Sequence, residues 1–108
     1  MAGADKRDII RHMKRLTVRF GIDVPNRVAF TEDISLTGMF IKTPNVCPPN
    51  TKIRVILEIG PDTVELDARV MWAKKVPQNL FHLVKKSGIG IRFVQFISGQ
   101  EHLTSFLQ

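Results

Sequence analysis

The clearest hydrophobic pattern lies in the middle of the chain. From residue 52 to residue 59 every second residue is aliphatic, and most residues between them are charged. Residues 64–72 repeat this alternation after Gly60-Pro61-Asp62, a sequence typical of a turn. Because successive side chains of a strand point to opposite faces, a period of two indicates a strand with one buried face. The two segments therefore predict an antiparallel hairpin.

Four shorter segments carry a similar signal on either side of this hairpin. Gly21 and the sequence Asp23-Val24-Pro25-Asn26 separate the first two, and three prolines make residues 44–50 a loop. The four predicted strands are Leu16–Phe20, Arg27–Asp33, Met39–Lys42 and Gly88–Phe96. Six short strands separated by turns predict an all-β fold, a small six-stranded antiparallel barrel.

The two ends of the chain differ from this pattern. Ser98, as N-cap, with Glu101 three residues later, predicts a short C-terminal helix over residues 98–108 that covers an open end of the sheet. Residues 1–10 predict a flexible basic arm, with Ile9, Ile10 and Met13 on one face of a helical turn. The barrel itself is predicted over residues 11–97. Residues 73–87 fit a long loop, a short helix or a strand extension equally well.

Composition and charge limit the functions that this chain can have. A chain of 108 residues has room for one hydrophobic core, and with no apolar run long enough to cross a bilayer we expect a cytoplasmic protein. The net charge of +6 favours an anionic partner: nucleic acid, an acidic protein surface or a phosphate-bearing small molecule. Cys47 is the single cysteine, so the chain cannot form an internal disulfide, and we interpret this residue as an incidental thiol.

Two groups of polar residues are candidates for ligand binding. Arg11 and Arg15 precede the first strand. The guanidinium group of an arginine can donate two hydrogen bonds to a phosphate, or to the O6 and N7 atoms of guanine. Asp33, Ser35 and Gly38 form the pattern D-x-S-x-x-G between two strands. Each group also has an ordinary interpretation, because basic segments near termini are often solvated and Asp, Ser and Gly are common turn residues.

Together these residues resemble the PilZ domain, a bacterial receptor for cyclic di-GMP. The order R-x-x-x-R, apolar strand, D-x-S-x-x-G carries the resemblance. It continues in residues 38–41, in Val70-Met71-Trp72 and in Gly88–Phe93, so that it covers residues 11–97. The resemblance implies a six-stranded antiparallel barrel with a C-terminal helix, in agreement with the strand count from the hydrophobic pattern.

The resemblance also implies roles for individual residues. Arg11 and Arg15 would hold the phosphates and contact the guanines of cyclic di-GMP. Asp33 would accept hydrogen bonds from a guanine N–H edge, Ser35 would add a hydroxyl contact, and Gly38 would keep the turn tight. The implied partners are cyclic di-GMP and a protein effector that responds to a conformational change, in motility or biofilm regulation.

Two different pairs of arginines fit the R-x-x-x-R motif. Arg7 and Arg11 also fit R-x-x-x-R, but in the family the second arginine is usually followed by an apolar residue, and Leu16 follows Arg15. Lys14 and Arg7 are secondary candidates for the site. Ile10 precedes the preferred pair where a further arginine tends to accompany a stacked ligand dimer, which favours one ligand per site.

Trp72 shares the phase of the preceding strand residues, so the pattern predicts that it packs against the core. In the family a tryptophan near this point can border the ligand, which makes Trp72 another secondary candidate. His12, His82 and His102 are scattered, with no carboxylate or cysteine at ligand spacing, so we expect no metal site. Nothing in the sequence resembles a catalytic constellation, and we expect neither enzymatic activity nor a cofactor.

Two other functions fit the same sequence. A PilZ-like adaptor could bind a motility, pilus or secretion protein without cyclic di-GMP, although such adaptors usually lack one of the two motifs. A small-barrel nucleic-acid binder would suit the net charge. The chain has seven Phe, one Trp and no Tyr, however, and most of the Phe lie at predicted core positions, which makes nucleic acid an unlikely partner.

Overall fold

The structure is a computed structural model, and it describes residues 10–75 and 87–108. Within these ranges the chain forms seven strands and one short helix. Their bounds are β1 (His12–Met13), β2 (Thr17–Gly21), β3 (Arg27–Ile34), β4 (Gly38–Lys42), β5 (Lys52–Ile59), β6 (Asp62–Lys74), β7 (Gly88–Ser98) and α1 (Gln100–Phe106).

The strands close into the predicted six-stranded antiparallel barrel, with β1 as one extra strand. The neighbours run in the order β2, β5, β6, β7, β4 and β3, and β3 then pairs with β2 to close the ring. Strand β1 pairs with the far end of β3, where Met13 lies opposite Asp33. Strands β1 and β2 therefore lie end to end along the same edge of β3.

The barrel interior holds the side chains that the alternating pattern predicted to be buried. In the hairpin of β5 and β6, Val55 lies opposite Leu66 and Leu57 lies opposite Val64, and all four side chains are inaccessible to solvent. Helix α1 covers one end of the barrel and inserts Leu103 into the same core. The alternating pattern was sufficient to predict these buried side chains, because one face of each strand packs in the core.

Two local predictions were wrong. Ser98 does not cap the helix: β7 continues through Ser98, and the N-cap is Gly99, in the left-handed conformation at φ 82°. A Cβ atom on Gly99 would lie 2.3 Å from the carbonyl oxygen of Thr63, so the chain approaches β6 too closely for a side chain. Met13 belongs to a strand and not to a helical turn, because the backbone of β3 provides pairing partners for residues 12 and 13.

Some predictions fall outside the described residues. These are the arm over residues 1–9, including Arg7 and Ile9, and residues 76–86 of the connection after β6. The start of that connection, residues 73 and 74, extends β6. Among the described residues, none forms a helix with the length and apolar character needed to cross a bilayer.

Candidate functional site beside the β3–β4 turn

A groove of about 720 Å³ opens on the outside of the barrel, beside the turn that joins β3 to β4. Four strands, β3, β4, β6 and β7, contribute to its walls, and Arg11 reaches it from the segment before β1. The polar and charged lining residues are Arg11, Glu32, Asp33, Thr37, Lys74 and Arg92. The larger apolar and aromatic ones are Met39, Phe40, Met71, Trp72 and Ile91.

Arg11 and Asp33 meet at one side of this groove. The Nε and Nη2 atoms of Arg11 both donate to Oδ1 of Asp33, at 3.1 Å and 2.5 Å. The pairing of β1 with β3 favours this contact, because it places Met13 opposite Asp33, and Arg11 is two residues before Met13, within diagonal reach of the carboxylate. The two side chains are 48% and 24% exposed. An ion pair this exposed to water contributes little stability, so an anionic group of a ligand could replace Asp33 as the partner of Arg11.

Ser35 lies inside the turn and its hydroxyl serves the turn itself. The Oγ atom accepts hydrogen bonds from the backbone N–H groups of Thr37 and Gly38, each at 3.2 Å. It also lies 3.2 Å from the carbonyl oxygen of Gly38, to which it can donate, and the residue is fully buried. In this arrangement Ser35 shapes the wall of the groove without reaching its interior.

Gly38 is fixed by a close approach between strands. A Cβ atom at this position would lie 2.3 Å from the carbonyl oxygen of Ile91 on β7. Its φ is not in the left-handed region, where Gly60 and Gly99 lie, so space and not backbone freedom demands the glycine. The absence of a side chain lets β4 and β7 pair at the floor of the groove.

Trp72 stands on the outside of the barrel, and the prediction that it packs in the core was wrong. Its side chain is 49% exposed and stacks on Phe40, with ring centroids 5.2 Å apart and planes at 18°. The pairing of β6 with β7 shifts register between Val70 and Trp72, which breaks the phase that the sequence pattern assumed. Gly90 makes room for the indole, since a Cβ atom there would lie 2.2 Å from Nε1 of Trp72.

Two further cations of the groove, Lys74 and Arg92, belong to no motif of the sequence. Arg92 lies opposite Gly38 in the pairing of β7 with β4, so strand register brings it beside the D-x-S-x-x-G turn. Lys74 ends β6, opposite Gly88. Arg92 lies in the predicted strand Gly88–Phe96, whereas Lys74 lies in the connection whose structure the sequence left open. The neighbours of both residues across the sheet could be known only from the register.

Arg15 and Lys14 lie outside the groove. The guanidinium of Arg15 covers the ring of Phe30, with its Cζ atom 4.2 Å from the ring centroid. The ammonium of Lys14 lies 5.9 Å from the centroid of Phe106. The hydroxyl of Thr31 holds the backbone between β1 and β2, because it donates to the carbonyl of Lys14 and accepts from the N–H of Leu16.

The structure thus brings together Arg11, Asp33, Gly38 and Trp72 at one groove, with Ser35 inside the adjoining turn, and directs Arg15 and Lys14 to another surface. Within residues 10–75 and 87–108, no group of His, Cys, Asp or Glu is arranged to hold a metal ion. The groove combines two carboxylates, three cations and an exposed indole face. This combination suits a ligand with planar hydrogen-bonding rings and negative charge.

The closed six-stranded barrel with one short helix defines the protein as a small β-barrel domain. The PilZ domain profile matches residues 5–108, and the chain therefore belongs to the PilZ domain family, whose members are binding and adaptor domains. No curated protein matches the chain in sequence.

A solved structure with the same fold is that of the Bacillus subtilis inhibitor of motility, MotI/DgrA. It superposes with a TM-score of 0.74 at 16% sequence identity. The alignment covers 94% of this chain and 48% of that protein, so the chain spans about half its length. At this level of identity the likeness shows a shared fold.

Proposed function

We propose that this domain is a cyclic di-GMP receptor that binds the second messenger in the groove beside the β3–β4 turn. The observation that carries the proposal is the contact between Arg11 and Asp33 at a groove whose other walls hold Trp72, Lys74 and Arg92. The ligand has two guanines and two phosphates. These residues offer a partner for each kind of group.

In the proposed complex the ion pair between Arg11 and Asp33 opens. The carboxylate of Asp33 accepts hydrogen bonds from the N1–H and amino edge of a guanine, as a carboxylate can accept two parallel N–H donors. The guanidinium of Arg11 turns to a phosphate or to the O6 and N7 edge of a guanine. Lys74 and Arg92 lie on the opposite walls and add positive charge toward the phosphates.

Trp72 supplies an apolar surface for a purine. Its indole is half exposed and is already held in orientation by Phe40 beneath it. A base that stacks on a fixed aromatic ring loses less freedom than one that must order the ring, and such stacking contributes about 1–3 kcal/mol. Ser35 and Gly38 act indirectly, by fixing the turn and the close pairing of β4 with β7.

In the proposed complex a second arginine of the R-x-x-x-R motif also contacts the ligand. Arg15 would have to leave the ring of Phe30, where a cation–π contact contributes only about 0.5–1 kcal/mol at an exposed site. Arg7 is the other candidate. We propose that ligand binding rearranges the segment before β2 and that this altered surface is recognised by a protein effector.

Isothermal titration with cyclic di-GMP tests the site. The wild-type domain is expected to bind, and Arg11→Ala is expected to weaken binding by at least tenfold, because a charge-assisted hydrogen bond to a phosphate contributes roughly 1.5–3 kcal/mol. Arg27→Ala is the matched control, since Arg27 is an exposed arginine on β3 that does not line the groove. Equal weakening by both changes would remove the site assignment.

The same titration identifies the second arginine. If Arg15 is the partner, Arg15→Ala weakens binding and Arg7→Ala does not, and the reverse holds if Arg7 is the partner. Wild-type protein that binds no cyclic di-GMP at all would instead favour the ligand-free adaptor.

A further inference from the structure

Three cations lie side by side across the outer wall of the barrel. Lys52 of β5 lies opposite Arg69 of β6, and Arg69 lies opposite Arg92 of β7. Directly opposed residues of antiparallel strands point to the same side of the sheet, and all three are exposed. Neighbouring strands are about 4.8 Å apart, so this cationic row spans roughly 10 Å.

The two carboxylates that β6 places on the same face as the cationic row are already engaged by another residue. Arg54 binds Asp67 through Nε at 2.8 Å and Glu65 through Nη1 at 2.9 Å. These contacts raise the pKa of Arg54, chiefly through the hydrogen bond to Asp67. Asp67 lies two residues before Arg69 on the same face of β6, so it is the carboxylate of this strand that could otherwise have paired with Arg69.

The row therefore keeps its positive charge. Within residues 10–75 and 87–108, the ion pairs of Asp67 and Glu65 are with Arg54 and not with Lys52 or Arg69, and Arg69 donates to the carbonyl oxygen of Asn50, at 3.0 Å. Like charges directly opposed across a sheet are destabilising. A fold that places three of them in line gains nothing in stability from the arrangement, which fits a surface that an anionic partner neutralises.

From this charge complementarity we infer that the cationic row is a docking site for an acidic segment of a partner protein. The row is short, and Asp67 and Glu65 stand immediately beside it on the same face. These carboxylates flank the row along β6, so a nucleic-acid duplex, which is broader than the row, would bring phosphates close to them when laid over it, whereas a few acidic side chains match the length of the row. Met71, two residues after Arg69 and exposed, adds an apolar contact at its border.

The inference does not depend on cyclic di-GMP, although Arg92 belongs to both surfaces. A test can therefore leave Arg92 unchanged and alter the other two cations of the row. The probe is a fluorescein-labelled peptide of about ten residues with alternating glutamate and serine, titrated with the full chain by fluorescence anisotropy at about 50 mM salt, where surface charges are weakly screened.

Lys52→Gln with Arg69→Gln is expected to weaken binding of this peptide by about fivefold or more, since each rim charge pair contributes up to about 1 kcal/mol. The matched control is Arg27→Gln with Lys42→Gln, which removes one arginine and one lysine from exposed positions on β3 and β4. It should change the affinity by less than about twofold. Circular dichroism and cyclic di-GMP titration of both double variants check that the fold and the groove are intact.

Three outcomes would overturn the inference. One is a peptide that does not bind the wild-type chain, and another is equal weakening by the two double variants, which would make net charge the sole cause. The third is an oligothymidine of the same length that binds more tightly than the peptide and loses that binding in the Lys52 and Arg69 variant, which would assign the row to nucleic acid.

Discussion

Ser35 satisfies the backbone of its own turn. Its buried hydroxyl accepts from two N–H groups, of Thr37 and Gly38, that no other acceptor within the described residues serves. A buried donor without a partner costs about 1–3 kcal/mol. At the scale of the residue, the D-x-S-x-x-G pattern therefore has a structural role: it fixes the turn that holds β3 and β4 beside the groove.

Ser35→Ala is expected to lower the free energy of unfolding by about 1–3 kcal/mol, because both N–H groups lose their acceptor. Urea unfolding followed by circular dichroism measures the change. Thr37→Ala is the matched control, since Thr37 is exposed and its hydroxyl contacts only that of Ser35, and it should change stability by less than about 0.5 kcal/mol. An equal loss in the two variants would contradict the role given to Ser35.

Gly90 controls the position of Trp72. Gly90→Ala would place a Cβ atom 2.2 Å from Nε1 of the indole, so the ring must leave its stack on Phe40. Trp72 is the sole tryptophan and the chain has no tyrosine, so the emission spectrum reports on this ring alone. We expect a red-shifted emission maximum, as the indole becomes more exposed to water, and weaker binding of cyclic di-GMP.

Gly60→Ala serves as the control for that spectrum. Gly60 lies in the turn between β5 and β6 at φ 59°, so alanine strains the backbone there without touching the indole. Its emission maximum should match that of the wild type. A Gly90→Ala spectrum that also matched it would mean that the ring can stay in place and that the close contact is relieved by the backbone.

At the scale of the element, helix α1 stabilises the barrel through one side chain. Leu103 is fully buried in the barrel core, and Phe106 and Leu107 pack against its edge. A seven-residue helix has little stability of its own, so it forms because this apolar face covers the barrel end. The helix thus covers the core at one end of the barrel, and none of its residues lines the groove.

Leu103→Ala is expected to lower the free energy of unfolding by about 2–5 kcal/mol, the usual cost of a cavity left by a buried leucine. Chemical denaturation measures it. Ser105→Ala, an exposed change on the same helix, should have an effect below about 0.5 kcal/mol. If Leu103→Ala were as stable as Ser105→Ala, the helix would not be docked in solution.

At the scale of the whole molecule, ligand binding and stability are linked. A ligand that binds only the folded chain stabilises it by about 2.7 kcal/mol at 100 times its Kd. For a domain of this size that corresponds to an increase of roughly 10 °C in Tm. We expect this increase for the wild-type domain with cyclic di-GMP, measured by scanning calorimetry. For Arg11→Ala at the same ligand concentration we expect at most about half of it, since a tenfold weaker Kd leaves about 1.4 kcal/mol of stabilisation.

Two results would count against the proposed receptor in that experiment. An unchanged wild-type Tm at high ligand concentration would indicate a PilZ adaptor that does not bind the messenger. An equal increase in wild type and Arg11→Ala would place the ligand away from the contact between Arg11 and Asp33.

The sequence alone determined the six strands of the barrel, because each strand buries one face and so imposes a period of two on its residues. The motifs R-x-x-x-R and D-x-S-x-x-G, and not this period, carried the resemblance to the family. The sequence also placed Asp33, Ser35 and Gly38 on a turn between two strands. These are local properties, and each can be read from a few consecutive residues.

The tertiary structure alone decided which residues share the groove. Trp72 moved from the predicted core to the groove because pairing shifts by one residue after Val70, and a shift of one residue exchanges the two faces of a strand. Arg92 joined Gly38, and Arg15 turned to Phe30, through pairings between segments far apart in the chain. Strand register depends on the packing of the whole barrel, and no short stretch of sequence contains it.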